Sequence, residues 1–190
     1  MILQLYDCFK HWSFNGSVYI ISDPHFDDED CKLMDKNWIT PLEQIERINT
    51  KVMRSDTLII LGDIGDETYL DMIKSRYRIL VKGNHDKSNG YYTKYFNEIY
   101  EGALFIGEKI LLSHEPIGVP FAVNIHGHDH CNKEIYKDGC KYLNLAANVC
   151  NYSPVSLGKL IKQGLLSDIQ DIHRITIDKA SENKTRKERS

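Results

Sequence analysis

At 190 residues, with 42% hydrophobic and 27% charged side chains, the chain suits one globular domain with a substantial core, set over residues 1–177. A net charge of −3 excludes a general attraction to nucleic acid, and no apolar run approaches the length of a membrane span. No basic stretch precedes an apolar run at the N-terminus, and the five cysteines form no C-x-x-C pair, which predicts a reduced, cytoplasmic protein without a signal peptide.

The first seventeen residues carry a weak signal for a strand and a turn. Val18-Tyr19-Ile20-Ile21-Ser22 then reads as a buried strand closed by Asp23-Pro24. An acidic loop is expected from Phe26 to Asp35. Thr40-Pro41 supplies an N-cap and a first-turn proline for a helix whose Leu42, Ile45, Ile48 and Val52 follow at helical spacing. Thr57–Leu61 and Arg78–Val81 read as two further strands, with a short helix from Tyr69 to Ser75 between them. This alternation predicts parallel pairing through right-handed crossovers. Tyr91-Tyr92-x-x-Tyr95-Phe96 is expected as a partly buried helix face rather than a stacking platform for a nucleotide.

The second half has shorter strands: Lys109 to Ser113, Phe121 to Ile125, and a hairpin of Lys133–Lys137 with Lys141–Leu145 around Asp138-Gly139. Ser156 to Gln163 closes as a helix, with Gly164 after it. A second sheet packed on the first is expected. The polar, mildly basic segment 178–190 is expected to be a disordered tail.

Polar clusters stand at successive strand ends: Asp23-x-His25, Gly62-Asp63, Gly83-Asn84-His85-Asp86, His114 and Gly127-His128-x-His130. Sites in open α/β sheets form at the carboxyl ends of strands, so these clusters should converge. His128 and His130, two apart on an extended segment, would point to one side, with Gly127 giving the backbone room to turn. Imidazole, carboxylate and amide-oxygen donors suit manganese first, with iron, nickel, cobalt or zinc as alternatives, and suit magnesium less well.

In this order the five blocks resemble the calcineurin-like metallophosphoesterases, short bacterial and phage members in particular, over roughly residues 18 to 162. Asn148-Val149 and Tyr152 to Leu157 share in the resemblance. It implies a four-layer αββα sandwich of two mixed β-sheets with a dinuclear metal centre. One cation would take Asp23, His25 and His130, the other Asn84, His114 and His128, with Asp63 between them. It further implies in-line attack on phosphorus by a shared hydroxide, His85 as general acid, and Asp66 as the residue that orients His85.

Relatives that act on phosphoprotein monoesters usually carry arginine where Glu67 stands here. That departure favours a phosphodiester, small or nucleotide-like, over a dianionic monoester. A nuclease of the same superfamily and a non-catalytic, metal-binding interaction scaffold are the alternatives. His126 matches no ligand position and is expected to support the site or play no part. His11 and His173 are expected at the surface, and Cys131 as a small buried side chain rather than a ligand.

Overall fold

Three aliphatic runs lie in register at the centre of a sheet because both of their faces are covered. The computed structural model describes residues 2–3, 5–14, 16–133 and 135–169. Its elements begin with β1 (Ile2–Leu3), α1 (Leu5–Trp12), β2 (Val18–Ile21), α2 (Cys31–Met34), α3 (Pro41–Lys51), β3 (Thr57–Ile60) and β4 (Tyr77–Val81). They continue with β5 (Glu98–Tyr100), β6 (Leu104–Ile106), β7 (Ile110–Leu112), β8 (Val123–His126), β9 (Tyr136–Lys137), β10 (Cys140–Asn144), β11 (Val155–Ser156) and α4 (Leu157–Lys162). Two mixed sheets result, ordered β11-β2-β3-β4-β5 and β1-β6-β7-β8-β10-β9. The expected α/β sandwich is therefore observed. None of the described helices is long and apolar enough to cross a membrane.

Strands β2 to β5 are parallel, and β11 pairs antiparallel at the β2 edge. Ile20, Ile59 and Ile79 are aligned across β2, β3 and β4, as are Ile21, Ile60 and Leu80 one residue later. Because side chains alternate along a strand, these two rows face opposite ways. The first meets Leu104, Ile106, Leu112, Val123 and Ile125 of the second sheet. The second meets Ile45, Ile48 and Val52 of the α3 segment. Thr40 and Glu43 form a reciprocal capping box at the start of α3, with Pro41 in its first turn.

Several elements differ from expectation. The N-terminal segment holds a helix, α1, and β1 joins the far sheet beside β6 rather than β2. The helix expected at 69–75 is a 3-10 turn over Glu67–Met72, because Asp66 caps it early and Ile73 is already extended. Leu42 is exposed; the buried face of α3 is Gln44, Ile45 and Ile48. The tyrosine-rich group forms no α-helix: a 3-10 turn at Asn89–Tyr91 leaves Tyr91 exposed and buries Tyr92, Tyr95 and Phe96 against the sheet. Cys131 is exposed rather than buried, and all five cysteines are free thiols. The hairpin turn forms as expected, with Asp138 and Gly139 both at positive φ, although β9 is only two residues long. His173 and the tail 178–190 lie outside the described residues.

Candidate metal centre

The register that aligns β2, β3 and β4 also aligns the loops at their carboxyl ends. Asp23 and His25 leave β2, Asp63 leaves β3, and Asn84 and His85 leave β4, while His114 comes after β7 and His128 and His130 come after β8. Backbone hydrogen bonds then tie these loops together. Asp23 N donates to Gly62 O (3.1 Å), His25 N to Asp63 O (3.0 Å) and Gly127 N to His114 O (2.9 Å). The two sheets meet at the same point, where Ser22 N donates to Leu145 O (2.8 Å) and Ser22 Oγ to Leu61 O (2.7 Å).

Seven of the nine expected site residues converge as two adjacent groups. In one, ligand atoms of Asp23, His25 and His130 lie within 4.8 Å of one another; in the other, those of Asp63, His114 and His128 do. Asn84 Oδ1 is 2.8 Å from His114 Nε2 and so joins the second group. Asp63 Oδ2 stands 3.6 Å from His25 Nε2 and 3.3 Å from His114 Nε2, between the groups. His128 and His130 thus serve different groups. Both line one cleft, but β8 ends at His126 and His128 has a φ of 63°, so they do not reach it by strand alternation as expected.

Three of the candidate ligand imidazoles are held from behind. His25 Nδ1 donates to Asp28 Oδ2 (2.9 Å), His114 Nδ1 to Leu61 O (2.9 Å) and His130 Nδ1 to Asn148 Oδ1 (3.1 Å). That leaves every Nε2 turned toward the Asp23 and Asp63 carboxylates, the arrangement by which outer acceptors fix the tautomer and orientation of a metal-binding histidine. Asp23 Oδ1 and His25 Nε2 are nevertheless buried without any hydrogen-bond partner. Their separation of 3.9 Å is too long for a hydrogen bond, and an orphaned buried polar atom costs about 1–3 kcal/mol. A cation placed among these donors satisfies both atoms, so the residues fit the metal that their chemistry suggests.

Four of the candidate ligands carry strained backbone. Asp23, His25, Asp63 and His128 have φ of 53°, 41°, 51° and 63°, in the left-handed region that non-glycine residues avoid. Gly127 is required for a reason other than turning. A Cβ there would collide with Asp23 Oδ2 and Ser22 Oγ, so glycine lets the β8 loop close over the carboxylate.

Burial raises the Asp23 carboxyl above its ordinary range, against the opposing pull of His114, Ser22, the His128 amide and His130. Burial acts on Asp63 likewise, but His114, the His85 amide and His25 outweigh it and lower that pKa. Burial also opposes charging of His114, yet the Asp63 and Asp23 carboxylates push it up to about 9.

The other sequence candidates stand apart from these two groups. His85 is exposed and lines a cleft of about 610 Å³ with His25, Asp63, His128 and His130; its backbone N donates to Asp63 Oδ1 (2.9 Å). Asp66 does not reach it. The Asp66 carboxylate accepts from Thr68 N and Oγ1, and no hydrogen bond among the described residues joins it to His85. Glu67 is bound by Lys87 Nζ at 2.6 Å, which neutralises the repulsion expected of it. His126 is buried behind the site, its Nδ1 donating to Gly127 O (2.8 Å). His11 is exposed, as expected.

Asp28, Asn148 and Asp86 are supporting residues for which sequence reading gave no role or only a vague one. Asp86 accepts from Gly83 N, Asp63 N, Ile64 N and Tyr92 OH, so it fixes two ligand loops to each other. Asp28 lies three residues after His25 on the same turn, the one local signal that marks it. Cys31 forms a third donor group with His25 and Asp28, their ligand atoms within 4.8 Å of one another; burial raises its thiol to about 12, and its Sγ donates to His25 O.

A family model described as calcineurin-like phosphoesterase matches residues 16–158. Uncharacterized protein MJ1445 of Methanocaldococcus jannaschii is 26% identical over 170 residues, covering 76% of this chain and 89% of that one. The crystal structure of the protein of unknown function AQ665 from Aquifex aeolicus aligns over 78% of this chain and all of that chain (100%), at 26% identity and a TM-score of 0.63.

Proposed function

The chain belongs to the calcineurin-like phosphoesterases, a family of metal-dependent phosphoric ester hydrolases, and from that membership we propose that it hydrolyses a small phosphodiester with two metal ions. The observation that carries this reading is the pair of ligand groups flanking Asp63, with buried Asp23 Oδ1 and His25 Nε2 left unpartnered. In it, Asp23, His25 and His130 would hold one cation, Asn84, His114 and His128 would hold the other, and Asp63 would serve both. Manganese is our first choice for this mixed nitrogen and oxygen donor set. When bound, the two cations would draw charge from the phosphoryl oxygens and supply the nucleophile at neutral pH.

The protein's own part is positioning. Asp28, Leu61 O and Asn148 keep three imidazoles aimed inward, and Asp86 holds the Asp63 and Asn84 loops at fixed spacing. His85 lines the cleft, with no hydrogen bond from its ring to a carboxylate among the described residues, and is placed to act as the general acid on the departing alkoxide. The diester preference rests on the cleft wall, which includes neither lysine nor arginine among the described residues. A dianionic monoester would have no ammonium or guanidinium to meet its second charge. A reducing, cytoplasmic setting agrees with five free thiols.

Manganese-loaded protein offered bis(p-nitrophenyl) phosphate, p-nitrophenyl phosphate and DNA tests the reading. Faster turnover of the diester than of the monoester, with DNA intact, is expected. Preferred monoester turnover would overturn the diester assignment. DNA cleavage would move the protein to the nucleases, and no turnover with any metal would leave a binding scaffold.

A further inference from the structure

The cleft over the candidate metal centre is asymmetric. Its floor is the imidazoles and Asp63, while one wall is the segment from Asp28 through α2, which contributes Asp28, Asp30, Leu33 and Met34. Leu33 is 85% exposed, the most exposed large hydrophobic residue described, and Met34 beside it is half-buried. The Asp28 carboxylate is occupied by His25 and by the Asp30 amide. Asp30 makes no side-chain cap bond to α2, and the residue lines the cleft.

We infer that this wall selects the substrate: an ester with one phosphate and an uncharged, apolar alcohol, seated on Leu33 and Met34, with Asp30 turning away esters that carry a second phosphate. The inference rests on the proposed phosphodiesterase reading and narrows it. Leu33 and Met34 are the apolar side chains among the residues that line the cleft, the part of its wall that an apolar group can cover. An unpaired carboxylate on the same wall gives discrimination by repulsion. Polynucleotides and nucleoside polyphosphates, whose neighbouring phosphates would lie along that wall, are poor fits.

A series of p-nitrophenyl alkyl phosphates, from methyl to hexyl, tests this with the manganese-loaded full chain. The expected result is a kcat/KM that rises about twofold to fourfold per methylene as the alkyl chain covers Leu33. Binding of alkyl phosphonates of the same lengths should tighten by the same factor without turnover. Leu33→Ser should flatten both slopes; the side chain is exposed, so folding is not at stake. A second phosphate on the alkyl chain should lower kcat/KM by about tenfold or more, and Asp30→Asn should recover most of that loss.

Turnover that ignores chain length, or a slope that survives Leu33→Ser, would overturn the apolar wall. Equal handling of the doubly phosphorylated ester would overturn the role of Asp30. Failure to hydrolyse any member of the series would instead overturn the phosphodiesterase reading beneath it.

Discussion

At the scale of single residues, the site is a set of imidazoles whose freedom has been removed one hydrogen bond at a time. Asp28 is the clearest case, because its carboxylate is the partner that fixes the Nδ1 of the buried His25 ring. Asp28→Ala should weaken metal binding by about tenfold to a hundredfold, and Asp28→Asn should restore part of it, as read by equilibrium dialysis with manganese. An unchanged affinity in both variants would show that packing alone orients His25. His85 belongs to a different class, since it lines the cleft and supports no ligand ring. His85→Ala should keep the full metal content and lower turnover by about a hundredfold or more for alkyl leaving groups, but less for nitrophenolate. Equal loss for every leaving group would remove its role as proton donor.

Among the elements, legibility in the sequence followed burial. β2, β3 and β4 are apolar on both faces, so their runs stand out and end at the polar clusters that build the site. β5, β6 and β11 are only two or three residues long, too short to show a local periodicity. The ligand set was legible because each donor stands directly after a strand. Asp28 and Asn148 were not, since an acidic loop and an asparagine near a turn carry no pattern that ties them to a ring. Glu67 misled because its sequence neighbours do not include Lys87, which reaches it across the β4 loop. Ile59, in the middle of the isoleucine row, is fully buried in the core between the two sheets. Ile59→Ala should cost about 2–5 kcal/mol in denaturant unfolding, and a cost below about 1 kcal/mol would mean that the intersheet core is loosely packed.

For the molecule as a whole, the candidate centre lies at the seam between its two sheets. Asp23, His25, Asp63 and Asn84 come from the five-stranded sheet, and His114, His128 and His130 from the six-stranded one. Metal held there would tie the sheets together and so stabilise the fold by mass action. At a free metal concentration about a hundredfold above Kd that is about 2.7 kcal/mol, which for a domain of this size corresponds to roughly 5–10 °C in Tm. Chelation should lower Tm by that amount and readdition of manganese should restore it; an unmoved Tm would separate metal binding from the seam.

Metal content per chain bears on the account more directly than any rate. Protein stripped with chelator, reconstituted with manganese, freed of excess and measured by elemental analysis should carry two ions per chain, and the Asp63→Asn variant clearly fewer. Wild-type protein that retains none after manganese and iron have both been tried would contradict it.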